Sequence, residues 1–342
     1  MMGWYVQCGL ALAVALLSGL LVGVLRRYAL ARSLMDVPNA RSSHTAPTPR
    51  GGGVAIVVSM SLALLVLGAM GVIDGHALWA LVGAGGLVAL VGFLDDHGHV
   101  AARWRLLTHF AAAAWALYWL GGVPALMFMG VTVGAGWLWA VLAAVYLVWL
   151  LNLYNFMDGI DGIAGVEAVC VCVGGALLYI LHGLPGLALP PLLLAAAVGG
   201  FLYWNFPPAK IFMGDAGSGF LGIVLGVISL QAGWAAPQLF WAWLILLGVF
   251  VVDATFTLLR RLLRGERVYE AHRSHAYQYA ARELGSHRPV TLAVGAINLG
   301  WLLPLAVWVG LGGIDGFAGM AIAYAPLLAL VLRFNAGKQE AA

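Results

Sequence analysis

A chain of 342 residues that is 63% hydrophobic and 9% charged, with a mean hydropathy of +0.96, is not a soluble domain. Soluble domains average about half apolar and about a quarter charged residues, so the composition indicates a polytopic membrane protein with no room for a separate soluble domain. The formal net charge of +3 says little beside where the charges lie, and no nucleic-acid partner is expected.

A helical span takes about 20 mostly apolar residues. On that rule spans are predicted over 3–25, 52–72, 77–94, 105–121, 135–151, 163–182, 187–204, 218–233, 237–258, 289–311 and 315–333. The expected fold class is all-α: a polytopic membrane helical bundle of about eleven transmembrane helices, or about ten at the lower count. Residues 122–134, apolar and Gly-rich, are read as a short excursion between spans, and the short 218–233 span has soft ends. No basic n-region precedes the first apolar run, and Arg26 and Arg27 follow it, so a retained first span is expected rather than a cleaved signal peptide. Cys8, Cys170 and Cys172 all fall in apolar segments and indicate no disulfide framework.

All 17 Lys and Arg residues fall in, or at the edge of, alternate connections, whereas the opposite connections carry Asp74 and Asp315. By the positive-inside rule the basic side is cytoplasmic, which places the N-terminus in the periplasm and the C-terminus in the cytoplasm. Residues 1–342 then read as one integral-membrane catalytic domain, with cytoplasmic loops 26–51, 95–104, 152–162, 205–217 and 259–288.

Four polar islands lie on that side. Asn152-Leu153-Tyr154-Asn155-Phe156-Met157-Asp158-Gly159-Ile160-Asp161-Gly162 gathers two amides and two carboxylates, and on a helix Asp158 and Asp161 would share a face. A carboxylate near a span is costly, so it marks a wet cavity or a site. Gly92-Phe93-Leu94-Asp95-Asp96 ends the third span. Adjacent side chains diverge by about 100° on a helix, so Asp95 and Asp96 should have separate jobs. A carboxylate at a helix C-terminus opposes the dipole and needs compensation, from a metal ion or from Arg103 and Arg105. His97 and His99 read as solvated loop residues.

Phe212-Met213-Gly214-Asp215-Ala216-Gly217-Ser218-Gly219 opens the eighth span, where free N–H groups and glycines suit a phosphate and Asp215 suits Mg²⁺. The plainer reading is a Gly-rich turn with Asp215 as N-cap. Lys210 nearby is a candidate phosphate contact. In the Arg-rich connection 260–288, His272, Arg273 and His275 are read as phosphate-binding, and Arg260, Arg261 and Arg264 as an anionic-lipid patch. Asp253 is read as structural, paired to Arg260 or Arg261. The first loop, from Asp36 to Gly53, carries His44 and Arg50 among three prolines and a glycine run; prolines stiffen it, and glycines permit close packing as span two begins.

With these motifs in order, the chain resembles the polyprenyl-phosphate N-acetylhexosamine-1-phosphate transferases (bacterial glycosyltransferase family 4). The resemblance implies transfer of a sugar 1-phosphate from a UDP-N-acetyl-amino sugar to undecaprenyl phosphate, with release of UMP. It implies Mg²⁺ as cofactor, with Mn²⁺ as the alternative ion, membrane lipid as surroundings, and leaves a homodimer open. Carried over, Asp215 and Asp96 hold the metal, and Asp95, supported by Asp96, engages the lipid phosphate. Asn152, Asn155, Asp158 and Asp161 handle the nucleotide sugar, while His272, Arg273 and His275 hold the pyrophosphate or sugar, with Lys210, His44 and Arg50 as further substrate contacts.

Three departures from the commoner pattern, at Asp95-Asp96-His97, Ser42-Ser43-His44 and His272-Arg273-Ser274-His275, resemble the O-antigen-initiating branch, which uses UDP-GlcNAc, UDP-FucNAc or UDP-QuiNAc. The competing readings are a transporter or lipid flippase, which predicts mid-span polar sites and internal repeats, and an intramembrane prenyltransferase, which predicts two Asp-rich motifs.

Overall fold

The computed structural model describes residues 3–38, 42–98, 100–134, 136–266 and 272–338. His99 and parts of the loops 26–51, 95–104 and 259–288 lie outside these residues. The chain runs α1 (Trp4–Ala31), β1 (Met35–Asp36), β2 (Thr48–Pro49), α2 (Val54–Ala69), α3 (Gly75–His97), α4 (Ala102–Trp119), β3 (Leu126–Phe128), β4 (Val131–Val133) and α5 (Trp137–Met157). It continues through α6 (Ile163–Leu181), α7 (Pro185–Asn205), α8 (Asp215–Ala235), α9 (Pro237–Leu246), α10 (Gly248–Leu263), α11 (Ala276–Glu283), α12 (His287–Ile297), α13 (Leu303–Gly310) and α14 (Gly316–Arg333). A π-helical turn, Asn298–Leu302, joins α12 to α13 without a break.

The all-α bundle is as expected, apart from two short antiparallel ribbons, β1–β2 and β3–β4. Among the described residues, 8 helices are long and apolar enough to cross a membrane, or up to 9 when α9 and α10 count as one span. The remaining two predicted spans correspond to α2, which has only 16 residues, and to α4, which carries Arg103, Arg105 and His109. The predicted span 237–258 is not continuous: it breaks at Leu247, and α9 and α10 meet at 71°. The Gly-rich stretch 122–134 is the β3–β4 hairpin, held to the bundle by the Trp241 indole N–H donating to the Met127 carbonyl and by Phe128 packed on Phe317.

Helix α8 is the centre. Of its most apolar window 94% is buried, against 17% for α1, which faces outward. It is surrounded by α3, α5, α9 and α2. In a membrane, close packing of small residues replaces water-driven association, and α8 is built for it. A Cβ on Gly222 would lie 2.5 Å from the Leu151 backbone of α5, and one on Gly219 would lie 2.8 Å from Val88 of α3. The predicted soft ends of this span are fully helical.

Asp74 and Asp315 have plain structural work. Asp74 accepts the Ala77 N–H at the start of α3, and Asp315 accepts those of Phe317 and Ala318 at the start of α14. Both satisfy N–H groups that a helix leaves unpaired in its first turn.

Candidate active site

Four chain segments meet at the ends of α3, α5 and α7 and the start of α8. The first is the Pro-rich loop. Its glycine run zips onto the segment before α8: Gly52 and Gly53 donate to the carbonyls of Phe212 and Met213 at 2.9 and 2.8 Å, and Phe212 donates back to Pro49 at 2.8 Å. A Cβ on Gly53 would lie 2.4 Å from the Gly217 Cα, so only glycine fits where span two begins. This is the close approach that the sequence predicted.

The second is the end of α3. Asp95 and Asp96 do diverge. Asp95 pairs with Arg105 and accepts the Val100 N–H at 2.8 Å. Asp96, 5% exposed, accepts the N–H groups of Asp215 and Ala216 at 3.1 and 3.3 Å, capping α8 from another helix. The C-terminal dipole of α3 is thus offset by the N-terminal dipole of α8, and by Arg50, which donates to the Asp96 carbonyl at 2.6 Å. Gly92 permits this meeting: a Cβ there would lie 2.6 Å from the backbone of Asp215 and Ala216.

The third is the link after α5. The helix stops at Met157, and Asp158 and Asp161 lie in an irregular turn rather than on one helical face, because Gly162 takes a left-handed φ of 74° to start α6. Both carboxylates nevertheless face one cavity. Asp161 ties the surrounding loops together: its carboxylate meets the His287 ring at 3.1 Å and accepts the Ala209 N–H at 2.9 Å, and its carbonyl accepts from Thr291. Burial works to raise the Asp161 pKa, but the His287 and Ala209 hydrogen bonds and the nearby imidazoles outweigh it and leave it lowered. Asp158 is raised well above the usual carboxylate range by burial and by the charges of Asp215, Asp96 and Asp161.

The fourth is the start of α8. Gly214, with φ 79°, is its N-cap, so Asp215 is the first helical residue rather than the cap. Its carboxylate accepts from Asn155 Nδ2 at 3.0 Å and lies 3.5 Å from Arg105 Nη1.

Together these segments enclose a cavity of about 380 Å³ lined by five carboxylates (Asp36, Asp96, Asp158, Asp161 and Asp215) and three basic groups (His44, Arg50 and His287), with Asn155, Asn205, Ser218 and Gln278. A neighbouring cavity of about 650 Å³ shares His44, Asp161, Gln278 and His287, and adds Arg282 and Arg288. Asn152 lies behind Asp215 on a void of about 50 Å³ with Arg105 and His109; its amide donates to the Val148 carbonyl at 2.7 Å. Among the described residues, no three His, Cys, Asp or Glu side chains stand together as a ready-made ion site.

Several predicted contacts lie off the cavity wall. The Lys210 ammonium sits over the rings of Tyr203 and Trp204. His275, 1% exposed, lies 3.3 Å from Asp253, whose carboxylate also accepts the N–H groups of Ala276 and Tyr277. Asp253 is structural, as expected, but it organises the start of α11 instead of pairing with Arg260 or Arg261: Arg260 donates to the Ala336 carbonyl and Arg261 pairs with Glu266 at 3.1 Å. His272 stacks on His275, and burial together with the charges of His275 and Arg261 pushes it down to about 3, so its ring is neutral at physiological pH. The Arg273 carbonyl accepts from Arg282 at 3.2 Å.

The groups that reach the cavity from this connection are His287 and Gln278. His287 was passed over because it stands alone in sequence, away from the His272–His275 cluster. Its Nε2 lies 3.0 Å from the Ser43 carbonyl, which can only accept, so Nε2 carries a proton and fastens the first loop to α12. Asn205 was also missed; it accepts the Gly162 N–H and donates to the Ile211 carbonyl.

Residues 78–233 match the model of the glycosyl transferase family 4. The stretch runs from α3 through α8 and so includes Asp95, Asp96, Asp158, Asp161 and Asp215. A decaprenyl-phosphate N-acetylglucosaminephosphotransferase of Mycolicibacterium smegmatis is 30% identical over 315 residues, covering 83% of this chain and 77% of the relative. The chain belongs to glycosyl transferase family 4. A probable undecaprenyl-phosphate N-acetylglucosaminyl 1-phosphate transferase of Bacillus subtilis is 29% identical over 296 residues, covering 84% of this family-4 chain and 81% of the relative. A second decaprenyl-phosphate N-acetylglucosaminephosphotransferase, from Mycobacterium tuberculosis, is 28% identical over 320 residues, covering 83% and 78%.

Proposed function

We propose that this chain is a phospho-sugar transferase that moves an N-acetyl-amino-sugar 1-phosphate from a UDP-sugar to undecaprenyl phosphate at the cytoplasmic face of the membrane. An oxygen of the lipid phosphate attacks the sugar-bearing phosphorus, the bond to the bridging oxygen breaks, and UMP leaves with that electron pair. The observation that carries this reading is the cavity wall: five carboxylates against three basic groups, at the helix ends where the family motifs converge. Burial and the crowding of carboxylates together raise the Asp158 pKa; such crowding favours a cation among them, and a cation there would also offset the charge of an entering pyrophosphate.

The donor set suits Mg²⁺, which takes one or two carboxylates and completes its shell with phosphate oxygens and water. Asp215 and Asp158 are the carboxylates with room to serve. Asp158 has no hydrogen-bond partner for its carboxylate among the described residues, and Asp215 is held on one oxygen by Asn155 at 3.0 Å and met on the other by Arg105 at 3.5 Å. Asp96 supports the metal side through α8, whose first N–H groups it holds in place. A bound Mg²⁺ would neutralise charge on the phosphate oxygens. Arg50 and His44 then face the substrate phosphates, and Asp95 holds Arg105 against Asp215. UDP-GlcNAc is the first donor to try, with UDP-FucNAc and UDP-QuiNAc next; an O-antigen or related envelope glycan is the proposed destination.

The deciding experiment is UMP release by purified protein given undecaprenyl phosphate, Mg²⁺ and a panel of UDP-amino sugars. UMP is expected only when lipid and metal are both present. Asp215→Ala, folded by its melting curve, should retain less than about one part in a hundred of the rate. Folded wild-type protein that is silent with every sugar would return the transporter reading.

A further inference from the structure

Gln278 is a side-chain amide at the junction of two cavities. It is 5% exposed and lines both the 380 Å³ cavity and its neighbour, whereas Asn155 and Asn205 line the first alone of these two. Its orientation is set by the backbone. As the third residue of α11 it turns its Oε1 back to accept the His275 N–H at 3.2 Å, closing the first turn of the helix. With the oxygen committed, Nε2 points the other way, to the link that carries Asp158 and Asp161; a Cβ on Gly159 would lie 3.1 Å from it. Nε2 offers two N–H donors, and neither has an acceptor among the described residues. Nε2 opens onto the cavity rather than into packed protein, so its donors are available to something that enters there.

The chemistry of the wall narrows what that is. Hydroxyl groups of a ligand find acceptors in abundance among the carboxylates. Phosphate oxygens are matched by a metal ion, Arg50 and the imidazoles. A ligand carbonyl carries no charge for the metal or the basic groups to match and is well served by a neutral donor, which Gln278 supplies in a fixed direction. We propose that Gln278 is a specificity-determining substrate contact whose carboxamide donates to a carbonyl oxygen of the nucleotide sugar, on the acetamido group or on the base. This rests on the nucleotide-sugar reading given above.

Two variants separate the contact from the cap. Gln278→Glu keeps an oxygen for the His275 N–H but loses the donors, while Gln278→Met loses both without adding charge. Calorimetric titration of the purified protein with UDP-GlcNAc and with UMP should show UDP-GlcNAc affinity reduced about tenfold in both variants, with Gln278→Glu melting as the wild type does. An equal loss for UMP places the carbonyl on the base, and unchanged UMP affinity places it on the acetamido group. Wild-type affinity for UDP-GlcNAc in Gln278→Glu would reduce the residue to a helix cap and overturn the assignment. Wild-type affinity in Gln278→Met would overturn it too, since any loss in the Glu variant would then be charge repulsion. Wild-type protein that binds neither ligand would overturn the nucleotide-sugar reading, and this assignment with it.

Discussion

Asp74, Asp96 and Asp315 cap helices, Asp95 pairs with Arg105, and Asp161 ties His287 and Ala209 together, whereas the Asp158 carboxylate has no hydrogen-bond partner among the described residues and Asp215 meets Asn155 and, at 3.5 Å, Arg105. One residue type thus serves three purposes, and what distinguishes them is the partner each side chain finds. The pKa of Asp161 makes its structural role measurable. Its folded-state value lies below the unfolded value of about 3.9, so the stability it supplies is fully present above about pH 4 and is lost as pH falls through the folded value. Melting curves in detergent should therefore fall more steeply on acidification below about pH 4 for wild type than for Asp161→Asn, which cannot carry the charge. Parallel curves would show that His287 and Ala209 do not hold an ionised Asp161.

At the scale of elements, the site depends on how closely α3 and α8 approach. Two glycines on α3 test this by their difference. A Cβ on Gly86 meets nothing within 4 Å, whereas one on Gly92 would press on the first residues of α8. Gly86→Ala should hold or slightly raise the melting temperature, since alanine favours the helix by about 0.5–1 kcal/mol. Gly92→Ala should cost about 1–3 kcal/mol through overpacking, and should lower turnover because it displaces Asp215 from Asp96. Equal behaviour of the two variants would remove the α3–α8 contact from the mechanism. The break between α9 and α10 escaped the sequence reading for a related reason. Residues 239–252, on both sides of the break, are apolar, and apolarity marks a span without marking a bend.

At the scale of the whole molecule, the alternation of basic connections predicts an orientation that labelling can check. In a background with Cys8, Cys170 and Cys172 replaced, Leu311→Cys, exposed between α13 and α14, should react with an impermeant maleimide in intact cells. Ser286→Cys, beside the site, should react only after permeabilisation. The reverse pattern would invert the topology.

Membrane class, the helical segments and the motifs at their ends were legible in the sequence, because apolar length and charge placement are local properties of a chain. The separate duties of Asp95 and Asp96 were legible too, since helical geometry alone sends adjacent side chains apart. The parts that could not be read depend on partners distant in sequence. Asp96 meets the Asp215 N–H across 119 residues, and the Asp161 N–H lies against His287 across 126. A cluster such as His272-Arg273-Ser274-His275 drew attention by its density, yet the tertiary structure gives His275 to Asp253 and sends Gln278 and the solitary His287 to the cavity. Composition determined that carboxylates beside a bilayer must have a purpose, because leaving them there without one is too costly. Only the folded chain decided which were spent on structure and which stayed free, because a carboxylate's role is set by the donor that reaches it.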